Sequence, residues 1–134
     1  ADGTFTLRIP TGNATLRMSG AGYGGTDYVD IKLQDNAPLS LSVKRLPGIV
    51  IRFVSDRQID WSTCTLHTRN DNGAGAANGG LSDFQRYGLV HFNPVWGAKL
   101  ENLQVRITQR RTELLPWTPV VADPNAWPCE IRVP

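Results

Sequence analysis

The chain has 134 residues, enough for one domain with a substantial core, and its 40% hydrophobic and 19% charged content excludes a disordered, acidic-tail or collagen-like protein. A formal net charge of +2 falls well short of the clustered excess of a nucleic-acid binder, so no nucleic-acid partner is expected. Apolar stretches such as Ile49-Val50-Ile51 are short and interrupted, far from the roughly 20 residues that span a bilayer, and no membrane insertion is expected.

In chain order the dominant signal is period-two alternation. Phe5, Leu7 and Ile9 alternate with Thr6 and Arg8, and Ala14, Leu16 and Met18 with Thr15 and Arg17. The glycine-rich loop from Gly20 to Gly25 leads to Val29, Ile31 and Leu33, then to Leu39, Leu41 and Val43. Ile49, Ile51 and Phe53 continue the pattern, followed by Cys64 and Leu66. A long Asn/Asp-rich loop, from Asn70 to Gly80, precedes the one segment predicted as a short helix, Leu81 to Tyr87, with Ser82 as its N-cap. Leu103, Val105 and Ile107, and finally Cys129, Ile131 and Val133, resume the alternation. Between them Pro116, Pro119, Pro124 and Pro128 argue against central-strand pairing, and Trp117 and Trp127 are expected to pin that stretch to the core. Each alternating run offers one apolar face and one polar face, as antiparallel sheets require. The expected fold is a single all-β domain over residues 1–134, an antiparallel two-sheet β-sandwich, immunoglobulin-like or jelly-roll-like, with about 8–10 short strands.

Cys64 and Cys129 are the only cysteines, and both fall on strand-like segments. A disulfide between them is expected; closing a loop of roughly 65 residues, it would contribute about 4 kcal/mol and would persist in an oxidising compartment. With Ala1 as first residue, as after signal-peptide cleavage, this predicts a secreted, periplasmic or cell-surface protein.

Motifs for chemistry are weak. Gly20, Gly22 and Gly25 fit GxGxxG, but a strand pattern follows where a dinucleotide site needs a helix, so no cofactor is expected. Asp71, Asn72, Asn78 and Asp83 supply oxygen atoms without EF-hand spacing, and His67 and His91 lack zinc spacing, so no metal is expected. There is no GxSxG elbow and no carboxylate pair that the sequence alone assigns to acid and base, so no catalytic residue is expected. Asn13-Ala14-Thr15 is an N-glycosylation sequon, relevant only in a eukaryotic host.

The remaining signal is aromatic. Trp61, Trp96, Trp117, Trp127, Tyr23, Phe84 and Tyr87 lie outside the alternating runs, and aromatics near turns suit stacking against a pyranose ring. The leading expectation is a non-enzymatic, lectin-like recognition domain. It would bind a glycan or a cell-surface ligand through loops at one end of the sandwich, using Tyr23, Asp71, Asn72, Asn78, Arg86 and Trp96. The chief alternative is a protein-directed module, either a fimbrial or adhesin assembly subunit serving cell adhesion, or a periplasmic enzyme inhibitor. It would use an edge strand or a face bearing Arg8, Arg17, Lys32, Arg52, Arg106 and Arg132, a positive field that suits an anionic polysaccharide or an acidic partner, with Arg110-Arg111 as a further doublet. The plain reading of those cations is a solvated, edge-protecting surface. A small hydrolase or lyase ranks last. In general character the chain is similar to small exported bacterial β-sandwich proteins, a likeness of architecture and not of site.

Overall fold

The computed structural model describes residues 12–16, 19–20, 22–24, 29–32, 44–70, 81–123 and 126–134. Its contacts divide the chain into two units, Ala1–Ser19 with Tyr23–Lys44, and Gly20–Gly22 with Arg45–Pro134. In the first, β1 (Asn13–Leu16) pairs antiparallel with β4 (Val29–Lys32), Ala14 across from Ile31 and Leu16 across from Val29. Three two-residue strands, β2 (Ser19–Gly20), β3 (Tyr23–Gly24) and β5 (Lys44–Arg45), complete the first part of the element order. The strands predicted at Phe5–Ile9 and Leu39–Val43 lie outside the described residues.

The second unit holds two three-stranded sheets. One has the order β11 (Cys129–Arg132), β6 (Ile49–Val54), β8 (Leu89–Phe92); the other has β10 (Thr112–Pro119), β9 (Gln104–Gln109), β7 (Cys64–Arg69). The central strands are the most regular in sequence. In β9, Val105 and Ile107 are fully buried while Gln104, Arg106 and Thr108 alternate on the other face. In β6, Ile49, Ile51 and Phe53 point into the core, and Val50 on the opposite face is buried as well. Inward side chains of both sheets join one core that includes Ile51, Phe53, Val90, Phe92, Val105, Ile107 and Leu115.

The chain is therefore β-rich with little helix, as its alternation predicts. Two details differ. β11 runs parallel to β6, with Cys129 across from Ile51 and Ile131 across from Phe53, so the sheets are not wholly antiparallel. Sequence alternation specifies a face and not a direction. The proline-bearing stretch forms a strand, β10, at the edge of its sheet among the described residues and with register shifts on both sides of Leu115, in keeping with prolines that argue against regular central-strand pairing. Proline is tolerated there because no neighbour needs its missing N–H. Lastly, the helix α1 spans Leu81–Tyr87 as expected, but Ser82 lies inside its first turn and is not its N-cap.

The expected disulfide is absent: Cys64 and Cys129 are both free thiols. They open strands of different sheets, and each sulfur is turned to a carbonyl of the segment preceding its own strand. Cys64 Sγ lies 3.5 Å from the Asp60 carbonyl oxygen, and Cys129 Sγ lies 3.5 Å from that of Ala126. Burial pushes the Cys64 thiol up from its ordinary pKa, and the Asp60 carboxylate pushes it further; a hydrogen bond with Thr63 offsets part of this.

Two glycines set the sheet ends. Gly88 closes α1 at φ 64°, its N–H donating to the Phe84 carbonyl at 2.9 Å, while its own carbonyl accepts from Phe53 N at 2.8 Å. Gly48, at φ 116°, enters β6 against the backbone carbonyl of Phe92, where any Cβ would collide. Gly48→Ala is therefore expected to cost more than about 2 kcal/mol in a denaturant titration. Gly97→Ala, left-handed at φ 89° but open around its Cα, should cost only about 1 kcal/mol. Equal costs would contradict this packing. For the thiols, intact mass after denaturing alkylation without reductant should show two labels, and native alkylation above neutral pH should reach Cys64 last, because its raised pKa keeps it protonated. An unlabelled pair would restore the bridge.

Candidate functional site

Trp61 stands where the chain leaves β6 for β7. Asp60 caps a single 3-10 turn, Trp61–Thr63: its Oδ1 accepts from Ser62 N at 3.1 Å and from Ser62 Oγ at 2.5 Å, and its carbonyl accepts from Thr63 N at 3.1 Å. The turn presents the indole to Phe53 and Phe84, at centroid distances of 6.3 and 5.8 Å, while Phe53 and Phe84 meet edge to face at 5.8 Å. The glycine at position 88 makes this seat possible, since a Cβ there would come within 2.8 Å of indole Cε2.

The half-buried ring forms one wall of an open pocket of about 440 Å³, lined also by Gln58, Ile59, Asp60, Gln85 and Arg86. The volume lies within the range of small-molecule sites. Two carboxamides, one carboxylate and one guanidinium offer donors and acceptors in several directions beside a fixed aromatic wall. That combination can hold a polyhydroxylated ring.

A second surface lies on the outer face of β7, β9 and β10. The Arg69 and Arg106 guanidiniums sit 4.2 and 5.1 Å from the centroid of Trp117. Arg69 Nε donates to Gln104 Oε1 at 2.7 Å, and His67 Nε2 lies 2.9 Å from Thr108 Oγ1. Arg106 Nε is buried without a hydrogen-bond partner.

A third feature is a mostly apolar pocket of about 420 Å³ whose lining includes Arg45, Val50, Leu100, Asp123, Trp127 and Cys129. Arg45 stacks on Trp127 at 4.5 Å, and the buried His91 meets the same ring edge-on at 6.5 Å with its Nε2 2.9 Å from the Pro47 carbonyl. Trp127 Nε1 is buried without a partner, and the indole edge packs on Gly22. Among the described residues, no cluster of His, Cys, Asp or Glu is arranged to hold a metal.

Of the six residues predicted to bind ligand, Arg86 lines the Trp61 pocket. Tyr23 falls in β3, within the first unit. Trp96 closes a 3-10 turn, Pro94–Trp96, whose cap Asn93 accepts from Val95 N at 2.9 Å. Asp71, Asn72 and Asn78 lie outside the described residues. Gln58, Asp60 and Gln85 were not anticipated. The sequence signal for Asp60 is Asp60-Trp61-Ser62, a capping residue that fixes an aromatic next to it at a strand exit; Gln58 and Gln85 carry none. In comparison with known proteins, the chain matches no family model, no curated protein and no solved structure.

Proposed function

We propose that this chain is an exported, non-enzymatic recognition domain that binds a glycan, and that the Trp61 pocket receives a sugar ring of that ligand. The single observation behind this reading is an aromatic wall fixed from behind by Phe53, Phe84 and Gly88, with Gln58, Asp60, Gln85 and Arg86 around the opening. A wall that cannot turn away gives up little conformational freedom on binding, and polar groups of both senses match hydroxyls that donate and accept. The two three-stranded sheets of the second unit are proposed to form a sandwich, since their inward side chains share a core. Export belongs to the same proposal because glycans of this kind are met outside the cytoplasm. A protein-directed role finds its support in Tyr87, which is 61% exposed beside Arg86, two residue types that often anchor protein interfaces.

A glycan array followed by titration calorimetry tests the reading. Binding of a neutral sugar should persist at high salt, since no ion pair is needed. Gln85→Ala should cost about 1 kcal/mol of affinity and Arg86→Ala about 2 kcal/mol. Neither exposed side chain belongs to the core, so the melting temperature should hold. Silence across the array, or affinities unmoved by both substitutions, would remove the pocket from consideration. Capture of one protein partner lost on Tyr87→Ala would favour the protein-directed role.

A further inference from the structure

The β9–β10 hairpin carries a second anomaly besides the buried Arg106 Nε. Gln109 pairs with Thr112, so its connection is the two-residue turn Arg110-Arg111, and both residues are left-handed, at φ 46° and φ 73°. A turn with positive φ at both central positions favours Asn-Gly, because an ordinary side chain is strained there. This hairpin instead places two exposed arginines at its tip. A third, Arg106, lies on the same hairpin's outer face, and Arg69 joins it from the neighbouring strand across the Trp117 ring. Strain at a tip that glycine would relieve, and a buried guanidinium nitrogen that no acceptor meets, are both costs to the fold. They fall on one hairpin and on one residue type.

We propose that the outer face and tip of this hairpin, with Arg69 of β7, form a binding platform for a linear anionic polysaccharide bearing carboxylate or sulfate groups. Guanidinium forks match both groups in geometry. From Arg106 to Arg110 the strand advances about 13 Å, so the cations are spread for an extended chain and not for a single ion. Trp117 is the positioning residue, its ring holding two guanidiniums that would otherwise disperse. A protein partner is disfavoured by the absence of an apolar centre: the exposed large hydrophobics among the described residues, Tyr87, Val95 and Val121, lie on none of these three strands. Nucleic acid is disfavoured by the net charge of +2 and by the exposed Glu113 carboxylate on β10. The platform does not share a residue with the Trp61 pocket and stands or falls apart from it.

The decisive variant is Arg110→Asn with Arg111→Gly, measured for polymer binding and for thermal stability. The wild-type chain should bind sulfated or uronate polymers with affinity that falls as salt rises. The double variant should bind roughly tenfold more weakly or worse, with a shallower salt slope, yet melt at an equal or higher temperature because the turn is relieved. Arg69→Ala should weaken binding without loss of fold. Trp117→Ala should weaken it with the salt slope nearly kept, and Trp117→Phe should restore most of it. Gln85→Ala should leave polymer binding unchanged, which separates this platform from the sugar pocket. The proposal is overturned if the wild-type chain binds neither polymer class, or if the double variant binds as well as wild type. It is overturned too if single-stranded DNA or an acidic peptide of equal charge binds more tightly than the polysaccharides.

Discussion

The indole of Trp61 needs a neighbour without a side chain, and Gly88 is that neighbour. Its left-handed backbone ends α1 at Tyr87 and turns the chain directly into β8, so the helix cannot advance over the ring. Its carbonyl is also the acceptor for Phe53 N at the far end of β6. One residue thus joins three things: the end of the helix, the extension of a strand pairing, and the seat of an aromatic side chain. Phe84, one turn earlier, is almost wholly buried and completes the seat from the helix side. A side chain at position 88 would disturb the core and the pocket wall together, so their geometries are not independent.

The strands that dominate the core were the ones most legible in the sequence. β6 and β9 are central in their sheets, and burial on one face is what writes a period of two into a sequence. The helix is expected over Leu81–Tyr87 from Ser82 as its cap, and the span agrees although Ser82 lies inside the first turn, because a segment this short has no sustained apolar period to fix its start. β10 was obscured by Pro116 and Pro119, since the position of a strand within its sheet decides whether proline is tolerated, and that position is not local information. The same holds for β11, whose parallel partner lies far upstream.

The site was less legible for a related reason. Its lining comes from residues 58–61 and 85–86, and nothing in either stretch announces the other. Trp61 stands out in the sequence only as one of several aromatics outside the alternating runs, and Arg86 only as part of a surface whose other members are in different places or outside the described residues. The cysteines illustrate the limit from the other side. Their positions on strands were anticipated correctly, yet a bond depends on which way each sulfur points, and both point to carbonyls of their own preceding segments. The Arg110-Arg111 doublet was visible as charge; that it occupies a turn suited to other residues became visible only with its backbone angles.

Pro116 and Pro119 on β10, an edge strand among the described residues, have a consequence for association. An edge of a sheet invites another chain to add itself by backbone hydrogen bonds, and that template needs N–H groups at regular intervals. β10 lacks them at two of its eight positions and is shifted in register beside them, so a visiting strand would find the ladder broken. Crowded copies of this chain should therefore not zip together along β10. Whatever binds at that border meets side chains first, and the border is protected from self-association by the same residues that hid it from sequence reading.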